Sequence, residues 1–172
     1  MPDHLLVDTD THMIEPRDLF AERRDKQYRD RAPRIVTDPP GLEGDHWVMD
    51  EVRPVNAVSG SSLGETRDPQ EYDEFVAKTR IGNVRPGGLG PAERLKDMAI
   101  DGIGAGIAFP TNCAFMYGLR DLAFQDALFR SYNDWLAEFP SHDPKRLAGT
   151  AMIQVEDTEL GAREVQRAAK SV

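Results

Sequence analysis

Two short apolar runs, residues 103–109 (IGAGIAF) and 147–154 (LAGTAMIQ), most constrain what this chain can fold into. Strand-length runs without polar alternation need cover on both faces, and helices packed on a parallel sheet provide it. Between them, Phe124, Leu128, Tyr132, Trp135, Leu136 and Phe139 recur at helical spacing over 121–139, and Pro140 follows. Ahead of the first run, Pro91 opens a helix through Asp101 with Leu95, Met98 and Ala99 on one face, and Gly102 stops it. After the second, Asp157 or Thr158 caps a last helix carrying Leu160, Val165 and Ala168. With an opening apolar strand over 4–8, buried strands alternate with helices, which predicts an α/β fold of about three parallel βα units.

The first connection is the exception. From about 13 to 90 there is little sustained periodicity, and most of the prolines and glycines fall there. The expectation is a long irregular insertion, with a short strand at Trp47, Val48 and Met49. A short helix is expected after Asp68 and Pro69. Loops of this length shape substrate pockets or act as lids and oligomer contacts. Trp47 offers an apolar wall in one reading and packing against the rim of the fold in the other.

The chemistry concentrates where the first strand ends, in Asp8-Thr9-Asp10-Thr11-His12-Met13-Ile14-Glu15-Pro16. Extended backbone alternates its side chains, so Asp8, Asp10 and His12 are placed to point the same way. A carboxylate and an imidazole two residues apart can share one cation, and that donor pair suits Zn²⁺, Mn²⁺ or Fe²⁺ better than Ca²⁺. The competing reading is a polar turn whose carboxylates bond nearby amides. A calcium-loop reading fails, because Met13 stands where glycine is required and Leu19 where a bidentate Glu is required.

The stretch DTDTHMIEPRDLF resembles the opening motif of the amidohydrolase-related enzymes that include aminocarboxymuconate semialdehyde decarboxylase and related non-oxidative decarboxylases. The segments RLKDMAIDGI-GAGIAFPT, SYNDWLAEF and DPKRLAGTAMI resemble that family in order and spacing. The resemblance implies a (β/α)8 barrel, of which residues 1–172 form a single incomplete domain, since a full barrel takes about 250 residues. It implies that Asp10 and His12 are the first two metal ligands and that the ion, Zn²⁺ above all, acts as a Lewis acid. Glu15 then stands beside that pair, or is simply an acid near a helix start. The implied function is that of a decarboxylase (carboxy-lyase) or hydrolase acting on a small carboxylated, aromatic or cyclic substrate. His4, His46 and His142 match none of the family's later ligand positions and read as surface histidines. The chain is therefore expected to be a fragment, catalytically weak. The alternative is an inactive remnant that pairs with itself or a homologue through open sheet edges.

Remaining signals are weaker. Thr111 and Asn112, after the second run, either face a substrate or cap the loop. Cys113 has no histidine placed to activate it. The glycines at 102, 104 and 106 precede or lie in a strand, which fails the dinucleotide-loop requirement. Arg17, Arg23, Arg24, Arg29, Arg31 and Arg34 read as a solvated surface. A formal net charge of −9 disfavours nucleic acid and membrane surfaces as partners. One cysteine and no signal-peptide pattern give a reducing cytoplasm as the expected compartment, with a small-molecule substrate and homo-oligomerisation as the open partner classes.

Overall fold

A computed structural model describes residues 5–23, 26–58 and 78–170. A parallel sheet forms from β1 (Val7–Met13), β5 (Ala105–Pro110) and β6 (Leu147–Gly149), in the order β1-β5-β6. A short helix α1 (Leu19–Arg23) follows β1, α2 (Pro91–Ile100) and α3 (Leu122–Glu138) lie between the strands, and α4 (Thr158–Ala168) follows β6. The order of strands and helices is the expected one. The strand expected over 147–154, however, is only Leu147–Gly149, with Ala148 and Gly149 exposed, and Leu5, Leu6 and Val7 are exposed where a buried strand was expected. The first strand runs further than expected, so that Asp10 and His12 lie within β1 and not after it.

Local chemistry sets the helix boundaries. Asp121 accepts from the Phe124 amide at 3.1 Å and Asp157 from those of Glu159 and Leu160, each satisfying donors that a helix start leaves free. Gly102 follows α2 at φ +73°, a left-handed conformation that side chains avoid. Gly161 lets α4 approach the main chain before it, since a Cβ there would lie 2.2 Å from the Gln154 carbonyl oxygen.

One face of the sheet is covered. Met13, Ala108 and Leu147 pack with Leu95, Met98, Ile103, Trp135 and Phe139. On β5 the residues between, Ile107 and Phe109, are only half-buried, so the opposite face stays open among the described residues. The larger core lies beside the sheet, where Phe124, Leu128, Phe129, Tyr132 and Leu136 of α3 meet Leu19, Phe20, Trp47, Met49 and Met116.

The insertion is more ordered than its composition suggests. It builds an antiparallel sheet from β2 (Arg34–Thr37), β3 (Asp45–Met49) and β4 (Val52–Asn56), with β3 in the centre. Asp38, Gly41 and Gly44 between β2 and β3, and Glu51 between β3 and β4, take positive φ and turn the chain. Pro54 is tolerated because β4 is an edge strand. Trp47 is core, edge-on to Phe20 with ring centroids 5.8 Å apart, and forms no pocket wall. His46 is buried on the central strand, which corrects the surface placement; His142 is exposed as expected. The helix expected after Pro69 and His4 lie outside the described residues.

Several insertion arginines are braces. Arg31 pairs with Asp50 and Asp121 and stacks 4.2 Å from the Phe124 ring centroid. Arg17 reaches buried Asp45 at 3.0 Å, and Arg23 pairs with Glu138 of α3. They tie the connection to the helical layer.

Candidate metal centre

Asp10 and His12 sit at the C-terminal half of β1, beside the end of β5, where His12 is in register with Phe109. His12 Nε2 lies 3.5 Å from Asp10 Oδ1, with side chains 36% and 83% exposed. A tetrahedral ion with donors at about 2.1 Å holds neighbouring donors about 3.4 Å apart, so this pair already spans one edge of such a site.

Asp8 does not join them. The β1–β5 register slips between Asp8 and Thr11, with one extra residue in β1. The bulge lets Asp8 fold back: its carboxylate accepts from the Asp10 amide at 3.1 Å and from the Thr11 hydroxyl. The simple alternation that put three donors on one face is therefore broken, and Asp8 serves as a local brace.

Beyond the bulge, Thr111 connects the two strands. Its hydroxyl donates to the Met13 carbonyl at 2.7 Å and lies 3.3 Å from His12 Nδ1. On the free edge of β1, Arg94 of α2 donates to the His12 carbonyl at 2.6 Å. Burial lowers the Arg94 pKa, an effect that the charges of Asp8 and Asp97 oppose.

Glu15 has a part that the spacing does not reveal. It is fully buried, and its carboxylate accepts the backbone amides of Thr111 (2.8 Å), Asn112 (3.0 Å) and Cys113 (3.0 Å) and the Asn112 side-chain amide (3.3 Å). It is an acid at a helix start, but the helix is the short 3-10 segment Cys113–Gly118, far along the chain. Glu15 contacts neither Asp10 nor His12 through a hydrogen bond; it fixes the loop that carries Thr111.

Asn112 is buried and spends its amide on Glu15 and on the Ala57 carbonyl at 3.0 Å. Its side-chain amide is thus spent inside the fold. Cys113 is equally inert, for burial pushes its thiol well up, and the Glu15 carboxylate adds to the effect. No group of three or more His, Cys, Asp or Glu among the described residues is arranged to hold a metal ion. The donors present fit two positions of a divalent site, and their chemistry is that of Zn²⁺, Mn²⁺ or Fe²⁺. No helix among the described residues is long and apolar enough to cross a membrane.

No family profile and no curated protein matches this sequence. Among solved structures, the fold matches that of an amidohydrolase from Mycobacterium avium subsp. paratuberculosis K-10 with a TM-score of 0.74 at 19% identity. The alignment covers 99% of this chain and 48% of that one, so this chain spans about half the length of the protein it matches. The chain has an amidohydrolase-like α/β fold.

Proposed function

We propose that Asp10 and His12 are the first two ligands of a divalent ion, Zn²⁺ above all, in an enzyme of amidohydrolase type. It acts on a small carboxylated molecule, aromatic or cyclic, by decarboxylation or hydrolysis. The observation that carries this reading is the 3.5 Å approach of His12 Nε2 and Asp10 Oδ1 on the open face of β1, near the C-terminal end of a parallel strand. Enzymes built on βα barrels place their reactive groups at that end. The three parallel strands are read as the first three of such a barrel, and the likeness to an amidohydrolase supports this.

When bound, the ion supplies Lewis acidity to a substrate oxygen. The chain's own residues do the rest. Asp10 and His12 hold it, Ile107 and Phe109 give an apolar floor on the same face, and Glu15 fixes the loop beside it. A catalytic zinc takes three protein donors plus an open position as a rule, so this pair is proposed to need donors from outside the described residues.

The test is metal uptake by the purified chain, with Asp10→Ala and His12→Ala as controls. Zinc affinity should fall at least about tenfold in each variant, in keeping with the loss of one donor. If both variants kept the wild-type stoichiometry and affinity, the ligand assignment would be wrong.

A second reading is an inactive chain that pairs through its sheet edges. Leu5 and Leu6, 71% and 57% exposed just before β1, favour it. Arg94, seated on the His12 carbonyl, opposes it at the other end of the same edge. A monomer by light scattering, at concentrations used for metal uptake, would remove it.

A further inference from the structure

We propose that the Thr111 hydroxyl selects the imidazole tautomer of His12, keeping the proton on Nδ1 and leaving the Nε2 lone pair free beside Asp10. The purpose given to this tautomer rests on the metal-ligand reading above; the proton assignment itself rests on hydrogen-bond geometry.

The Thr111 oxygen lies 2.7 Å from the Met13 carbonyl oxygen and 3.3 Å from His12 Nδ1. A carbonyl only accepts, and the hydroxyl has one proton. Were Nδ1 a bare lone pair, two acceptors would compete for that proton, and one contact would be a repulsion. The arrangement in which every contact is a bond runs from Nδ1–H to the Thr111 oxygen and from the Thr111 hydroxyl to Met13. Which nitrogen of a neutral imidazole keeps its proton is set by the bond the other makes, and a ligating histidine usually donates its second N–H in this manner.

Asp10 pulls the other way. A carboxylate beside Nε2 favours a proton there, but its 3.5 Å separation is longer than the 3.3 Å Thr111 contact, and Asp10 is largely in water, which screens it. Thr111, half-buried and anchored through its backbone amide on Glu15, is the better-placed partner. Remove its hydroxyl and Asp10 should win. Thr111 is thus a positioning residue, acting through His12.

The proton is read by long-range proton–nitrogen correlation NMR of the whole metal-free chain near pH 8. His12 is assigned by loss of its signals in His12→Gln. Wild type should show a protonated Nδ1 and a bare Nε2. Thr111→Val should move the proton to Nε2, and Thr111→Ser should restore the wild-type pattern. Zinc titration of the same samples should show affinity about 10- to 100-fold weaker for Thr111→Val, recovered in Thr111→Ser. A packing role alone would not move the proton. A protonated Nε2 in wild type, or an unchanged Nδ1–H in Thr111→Val, overturns the proposal whether or not zinc binds. Expected tautomers in a wild-type chain that takes up no zinc would instead sink the metal reading, and with it the purpose assigned to Thr111.

Discussion

Glu15→Gln is the sharpest test of how the two strand ends are held together. The substitution keeps size and shape but replaces one carboxylate oxygen by an NH₂ group. Oε1 receives Thr111 and Cys113 amides; Oε2 receives the Asn112 amide and side chain. Whichever way the new amide turns, it aims its own hydrogens at buried donors. Turned to spare Thr111 and Cys113, it orphans the Asn112 backbone amide and opposes N–H to N–H, while the Asn112 side chain keeps its bond to Ala57. One orphaned buried donor costs about 1–3 kcal/mol, and the remaining bonds lose the charge that made each worth about 1.5–3 kcal/mol in place of about 1. With two such bonds remaining, the sum is a loss of about 2–7 kcal/mol, a large share of the 5–15 kcal/mol by which domains are commonly stable. Urea unfolding followed by fluorescence should show the midpoint falling with the slope m unchanged. Tm should drop by at least about 4 °C, at about 2–4 °C per kcal/mol for a chain of this size. A loss below about 1 kcal/mol would show that the carboxylate is not the anchor its hydrogen bonds describe.

Two further outcomes follow from buried groups. Burial alone would push Asp45 up, but the Thr37 hydroxyl, the Ile81 amide and Arg17 together hold its carboxyl below the usual range. Between the folded and unfolded pKa values the unfolded chain binds the extra proton, so Asp45 adds stability above about pH 4 that fades as pH falls through the folded value. Asp45→Asn should flatten the acid limb of stability against pH, and an unchanged limb would refute the assignment. Cys113, buried and with its thiol pushed up, should react with a disulfide reagent only in denaturant; modification in native buffer at the denatured rate would contradict its placement.

The parallel layer was legible because burial leaves a periodic trace. The α3 stripe of Phe124, Leu128, Tyr132 and Leu136 is buried as its spacing requires, and Asp121, Asp157 and Gly102 punctuate the helices where their chemistry suits. Of the insertion only the short strand at Trp47, Val48 and Met49 was legible, and it forms the second half of β3. The rest was not: Asp45, His46, Trp47 and Met49 are all buried, so no alternation marks the full strand, and buried Asp45 finds the Thr37 hydroxyl only across the β2–β3 pairing. Glu15 escaped for a related reason: its donors lie 96–98 residues away in sequence, and no local pattern announces them.

Asp8-Thr9-Asp10-Thr11-His12 shows why spacing alone overstates a site. A regular strand would carry three donors on one face, and the motif invites that count. The extra residue in β1 reverses the main-chain alternation. Before it, the Leu6 carbonyl accepts from Gly104 on the β5 side; after it, Met13 faces Thr111 on that side, while the His12 carbonyl turns to Arg94 on the free edge. Asp8 is thereby diverted to brace the bulge. The same reversal leaves Asp10 and His12 on the open face with Met13 packed beneath the helices. One inserted residue thus turns a run of three acceptors into a two-donor edge with its own lock, and it does so through backbone pairing, which the side-chain pattern does not encode.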